Sequence, residues 1–145
     1  MHHVHVNCYI HAPVERVFDF ITDNDRFFVG EGIKSVTMLR EGQGERHGLG
    51  AVRRIKSALT FEEEITVFDR PRRQEYVIRK CTVPMKHDYG RLDFIPRGEG
   101  TEIDWNTWFE INLPLIGGPA TRNAAEKLKA AFVTLLIQAK ERLEG

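Results

Sequence analysis

The chain has 145 residues, 41% hydrophobic and 29% charged, enough to bury a sizeable core as a single domain spanning 1–145. Lys plus Arg and Asp plus Glu number 21 each, so the formal net charge is zero, which excludes a bulk electrostatic pull toward nucleic acid or an anionic membrane. No apolar run approaches a membrane span, no signal-peptide pattern opens the chain, and Cys8 and Cys81 lack disulfide-scaffold or metal spacing, so a cytoplasmic protein is expected.

The chain opens with a strand in which Val4, Val6, Cys8 and Ile10 alternate with His3, His5, Asn7 and Tyr9. HAPVERVFDFITD follows. Its Pro13 suits a first helical turn, and Val14, Val17, Phe18 and Ile21 recur at helical spacing. A second short helical turn is expected at Asp25 to Val29. From Ile33 the pattern becomes a meander: IKSVTML, GAVRRIK, TFEEEITVF, QEYVIRKC, YGRLDFI and TEIDWNTWFEI read as strands. EGQGERHGLG, DRPRR, VPMKHD and PRGEG read as the turns between strands. After LPLIGGP a long helix is expected from Thr121 to Leu143, with Leu128, Phe132, Leu135, Leu136, Ala139 and Leu143 on one stripe. The fold class is α+β: a curved seven-stranded antiparallel sheet wrapped around a C-terminal helix, with one or two short helices after the first strand.

That order, with HAPVERVFDFITD, GLGAVRR, EEITVFDRPRRQEYVI and GEGTEIDW at their spacing, resembles the START-like (SRPBCC, helix-grip) superfamily and its polyketide cyclase/dehydratase-like branch. One departure is that FFV (Phe27, Phe28, Val29) stands where the family often has tryptophan. The resemblance implies an apolar internal cavity that binds a lipid-like, aromatic or polyketide-like molecule. It does not imply catalysis, because fold alone leaves function open.

Alternation assigns faces. Phe61, Glu63, Ile65 and Val67 are expected inward on the fourth strand, opposite Ala51, Arg53 and Ile55 on the third. A three-residue loop at Ser57, Ala58 and Leu59 sets Lys56 opposite Thr60 and Arg53 opposite Glu63, within ion-pair reach. Either the pair satisfies itself and fixes register, or it offers a polar head to a ligand. Tyr76 and Ile78 are expected inward on the fifth strand. Gly90, Leu92 and Phe94 are expected inward on the sixth, with Asp88 near its start, and Ile103, Trp105, Thr107, Phe109 and Ile111 on the last. The cavity candidates are thus Arg53, Ile55, Phe61, Glu63, Ile65, Tyr76, Ile78, Leu92, Phe94, Trp105, Thr107 and Phe109, with Leu128, Phe132 and Leu135 from the helix. Val83, Pro84 and Met85, together with LPLIGGP, are expected at the mouth, with Gly117 and Gly118 as hinge points. Trp108 falls on the outer face, where the N-terminal helix or a second subunit in a homodimer would cover it.

His2, His3 and His5 read as a solvent-facing set. His11, His47 and His87 read as turn residues without a carboxylate or cysteine at ligand spacing, so no metal is expected. GQGERHGLG lacks the GK[ST] of a phosphate loop, no GxSxG occurs, and RPRR reads as a solvated turn; no cofactor is expected. Three functions fit. The first is binding or transport of a small hydrophobic ligand. The second is a cyclase or dehydratase in which Arg53 stabilises an enolate and Glu63 or Tyr76 moves protons. The third is a regulatory module with a filled cavity. The absence of an expected inward histidine, and the mutual neutralisation of Arg53 and Glu63, favour the first.

Overall fold

The computed structural model describes residues 1–30 and 32–145. Its elements are β1 (His2–Ile10), α1 (Val14–Thr22), α2 (Asn24–Phe27), β2 (Ser35–Arg40), β3 (Val52–Lys56), β4 (Thr60–Asp69), β5 (Arg73–Cys81), β6 (Met85–Arg97), β7 (Gly100–Ile111) and α3 (Gly117–Glu144). The strands form one antiparallel sheet in the order β1-β7-β6-β5-β4-β3-β2. Each strand from β2 to β6 pairs with its successor, and β1 returns to the β7 edge. The long α3 lies along β1 and β7, while α1 packs against β6, β7 and α3. The sheet grips the terminal helix, as the sequence pattern predicts.

Several boundaries differ from expectation. The second short helix is Asn24–Phe27, not Asp25 to Val29, because Asp23 caps it by accepting the Asp25 N–H at 3.0 Å. β6 begins at Met85, so the last four residues of the VPMKHD turn are strand. α3 begins four residues early, at Gly117, and takes in both glycines and Pro119. Proline is tolerated there because first-turn N–H groups have no intrahelical acceptor. Thr121 locks that turn to the sheet: its Oγ1 accepts from Ile111 N–H at 2.9 Å and donates to the Gly117 carbonyl at 2.6 Å. Gly117 and Gly118 are therefore helical residues in an anchored turn, not loop hinges.

The inner sheet face and the helix stripe do not meet along their whole length. The C-terminal half of α3 buries Leu135, Leu136, Ala139 and Leu143 in the core. Its N-terminal half turns Ala120, Ala124 and Leu128 toward open space. Alanine is too short to reach the sheet from there, and a cavity results.

On the outer face Trp108 is half-buried by its own sheet. His3 stacks on it with ring centroids 4.6 Å apart, Tyr89 stacks at 4.8 Å, and the Arg91 guanidinium lies 5.9 Å from its ring centre. All three come from its cross-strand neighbours β1 and β6.

Candidate functional site

The cavity encloses ≈ 460 Å³ between the sheet, α1, α2 and the first half of α3, within the range of small-molecule sites. Its rim is built from the β3–β4 loop, the start of β6 and the start of α3, including Leu59, Val83, Met85, Leu113 and Lys127. Its floor is fully buried and includes Ile21, Phe27, Arg53, Glu63, Tyr76, Leu92 and Trp105. Of the residues expected there, Arg53, Phe61, Glu63, Tyr76, Ile78, Leu92, Trp105, Thr107, Phe109, Leu128 and Phe132 line it. Ile55, Ile65, Phe94 and Leu135 are buried but do not line it. Phe94 and Leu135 pack in the core where sheet and helices touch, and Ile55 and Ile65 are fully buried on β3 and β4. Among the expected mouth residues Val83, Met85 and Leu113 line it, and Pro84 and the rest of LPLIGGP do not; Leu115 and Ile116 are exposed.

Arg53 and Glu63 face each other as register partners across β3 and β4, with Lys56 opposite Thr60. Arg53 Nη2 donates to Glu63 Oε1 at 2.6 Å, and the two residues are 1% and 4% exposed. Asn24 Nδ2 donates to the same oxygen at 3.3 Å.

The other guanidinium end reaches a histidine that sequence patterning leaves in a turn. Arg53 Nη1 donates to His47 Nδ1 at 3.2 Å. Arginine only donates, so His47 Nδ1 must accept, and the ring proton of the neutral imidazole sits on Nε2. Nε2 lies 3.2 Å from Asp23 Oδ1 and 3.4 Å from Asp25 Oδ2, close in charge but not aligned for a hydrogen bond to either. The fold thus gives His47 the carboxylate neighbours that its sequence spacing lacks. With its proton on Nε2, however, His47 offers no lone pair there for a cation, so the trio acts as an electrostatic brace behind Arg53. The His47 pKa is lowered by burial first and by the Arg53 charge second, against the pull of Asp23 and Asp25.

His87 overturns the expectation of a cavity without histidine. β5 and β6 stop pairing after Tyr76 and Gly90, and β6 carries a bulge between His87 and Tyr89. The bulge puts exposed Asp88 outside and turns His87 inward. Its ring then fills the gap between the strands. Nδ1 accepts the Ile78 N–H at 3.0 Å, which leaves Nε2–H to donate to Thr107 Oγ1 at 2.7 Å. Burial pushes the His87 pKa down to about 4. Both ring nitrogens are therefore committed in a neutral imidazole.

Tyr76 stacks on His87, with centroids 5.6 Å apart, and its hydroxyl accepts from Trp105 Nε1 at 3.0 Å. Burial and then the nearby Glu63 charge raise its pKa, against contacts with Trp105 and Thr107 that lower it. The ring lies over Gly90, where any Cβ would overlap it. Trp105 in turn lies flat on Phe132 of α3, with centroids 3.6 Å apart and an angle of 10° between planes.

Two more bulges change the lining. β5 has an extra residue at Arg79, which brings Cys81 inward. β4 has one at Thr66, so Phe68, not Val67, joins the core, opposite Gln74. Cys81 and His87 are the strand lining residues that strict alternation misses, whereas Gln74 keeps the parity of Tyr76 and Ile78. The signal for His87 is a break in phase: Met85 and His87 run out of step with Tyr89 to Phe94.

A family model described as polyketide cyclase / dehydrase and lipid transport matches residues 1–144. The fold is similar to that of TTHA0849 from Thermus thermophilus, with TM-score 0.77, 22% identity, and 98% of this chain and 97% of that one covered. It is similar to a START superfamily protein from Mycobacterium smegmatis, with TM-score 0.76, 18% identity, and 99% and 98% covered. It is also similar to the di-domain ARO/CYC BexL from the BE-7585A biosynthetic pathway, with TM-score 0.80, 22% identity, 99% of this chain and 50% of that one covered. No curated protein matches the chain in sequence. Among the described residues no helix is long and apolar enough to cross a membrane.

Proposed function

Since the chain belongs to the polyketide cyclase/dehydrase and lipid-transport family, we propose that it binds and carries a small hydrophobic molecule in its internal cavity. The observation that carries this reading is the ≈ 460 Å³ space, walled by apolar side chains and floored by one buried ion pair. Apolar surface withdrawn from water supplies affinity at about 25 cal/mol per Å². A regulatory module with a filled cavity is disfavoured by the same space.

The state of the titratable groups supports carrying over cyclisation. His87 has both nitrogens engaged, so it is neither a free base nor a charged acid at neutral pH. Tyr76 has a raised pKa and holds its proton. Glu63 is already engaged by Arg53 at 2.6 Å and by Asn24 at 3.3 Å. A general acid or base needs an ionisation poised near the working pH.

Native mass spectrometry of the purified protein, with and without added methylpyrene as an apolar probe, tests the reading. A co-purified small molecule, or one-to-one uptake of the probe, is expected. A protein that carries nothing and takes up no probe would overturn it.

A further inference from the structure

The floor of the cavity offers a charged acceptor atom with spare capacity, and its chemistry selects a ligand. Both hydrogen bonds that Glu63 accepts, from Arg53 and from Asn24, land on Oε1. Among the described residues Oε2 accepts none. It is not sealed from free space in the way that the partnerless Arg53 Nε is. The carboxylate is thus held by one oxygen and presents the other to the cavity that Glu63 lines.

Gln74 also lines the cavity with no side-chain hydrogen bond among the described residues, but its amide is neutral; the other polar groups of the floor are held as follows. The Arg53 guanidinium donates from Nη2 to Glu63 and from Nη1 to His47, and its partnerless Nε is sealed away from the cavity. The Tyr76 oxygen accepts from Trp105, and Thr107 accepts from His87 and lies 3.4 Å from the Tyr89 carbonyl that its hydroxyl donates to. Among the described residues no unspent cation reaches the floor. The one other cation among them that lines the cavity, Lys127, is exposed on the rim.

We propose, building on the reading of the cavity as a hydrophobic carrier site, that it selects an uncharged hydrophobic ligand bearing a hydroxyl. That hydroxyl donates to Glu63 Oε2. A phenol or alcohol provides the donor that an ionised carboxylate lacks. A ligand with an anionic head, such as a fatty-acid carboxylate, meets the Glu63 charge at the floor with no free cation to offset it. Bringing an unpaired charge there also forfeits its hydration.

Three fluorescent probes of one ring system test this at neutral pH: hydroxypyrene, methylpyrene and pyrene carboxylate. Binding is measured to the wild type, to Lys127→Ala so that the rim charge does not hold the anion, and to the paired variant Arg53→Met, Glu63→Leu. Hydroxypyrene is expected to bind about tenfold or more tighter than methylpyrene, as for a hydrogen bond to a charged acceptor. Pyrene carboxylate is expected to bind weakest, most clearly in Lys127→Ala. In the paired variant the preference for hydroxyl over methyl should vanish while methylpyrene still binds. The conservative Glu63→Gln should narrow the gap between hydroxyl and carboxylate probes. Equal binding of hydroxypyrene and methylpyrene, or a preference that survives in the paired variant, would overturn the proposal and leave the carrier reading standing. Failure of all three probes to bind would overturn both.

Discussion

Glu63 meets Arg53 on the floor of the cavity with Nη2 and Oε1 2.6 Å apart, both side chains nearly sealed from solvent. The attraction is strong there, but so is the cost of taking both charges out of water. The net contribution of the intact pair is therefore small, whereas removal of one partner strands the other. Glu63→Leu alone should destabilise the protein by about 3–5 kcal/mol. The double change Arg53→Met, Glu63→Leu should recover most of that. Urea unfolding of the wild type, the two single variants and the double variant measures the coupling. Additive losses in the double variant would contradict it.

Alanine on α3 keeps the cavity open. Ala124→Phe directs a ring into the space between helix and sheet without touching the helix's C-terminal core residues. Methylpyrene binding should be lost and the melting temperature should hold or rise, because the added ring gains contacts in place of a void. A drop in melting temperature together with unaltered binding would show that the ring had gone elsewhere.

His87 makes the protein sensitive to acid. Its folded pKa of about 4 lies below the ordinary 6.5, so the unfolded chain takes up the proton first. The stability its neutral form contributes is full above pH 6.5 and is lost as pH falls through 4. The shift corresponds to about 3 kcal/mol. The lowered pKa of His47 acts in the same direction. In His87→Asn the fall in stability across this window should be shallower than in the wild type. Parallel pH profiles of urea midpoints would exclude His87 as its source.

Gly90 is held by space, since a Cβ would overlap the Tyr76 ring on the paired strand. Gly90→Ala should cost about 1–3 kcal/mol through forced displacement of Tyr76. It should also weaken the bond from Trp105 to the Tyr76 hydroxyl. Tryptophan fluorescence alongside thermal unfolding reads both effects, and an unshifted spectrum with wild-type stability would count against the overlap.

Patterning reaches the Arg53–Glu63 pairing because two local facts suffice for it: alternation on each strand and a three-residue loop between them. It does not rank depth. Ile55, Ile65, Phe94 and Leu135 lie on the inner face like the lining residues, but period-two or helical spacing assigns a face and not a distance from α1 or α3. It fails outright where a strand takes an extra residue. Alternation puts Asp88 inside and His87 outside, and the bulge reverses both. His47 is beyond its reach for another reason. The partners Asp23 and Arg53 come from separate segments, and only the folded loop brings them together.

The bulges have a combined consequence. On β4 the inward residues are odd-numbered up to Ile65 and even-numbered at Phe68; on β5 they are even-numbered up to Ile78 and odd-numbered at Cys81; on β6 they are odd-numbered up to His87 and even-numbered from Gly90. Three adjacent strands each change parity once. The stretches bordering the cavity mouth and those bordering the packed core are therefore counted independently. A one-residue insertion or deletion near Arg79 or Asp88 can re-aim the residues at the mouth without rotating the core residues out of place. The scaffold can thus exchange what it shows a ligand by changing strand length alone, with the side chains beneath left as they are.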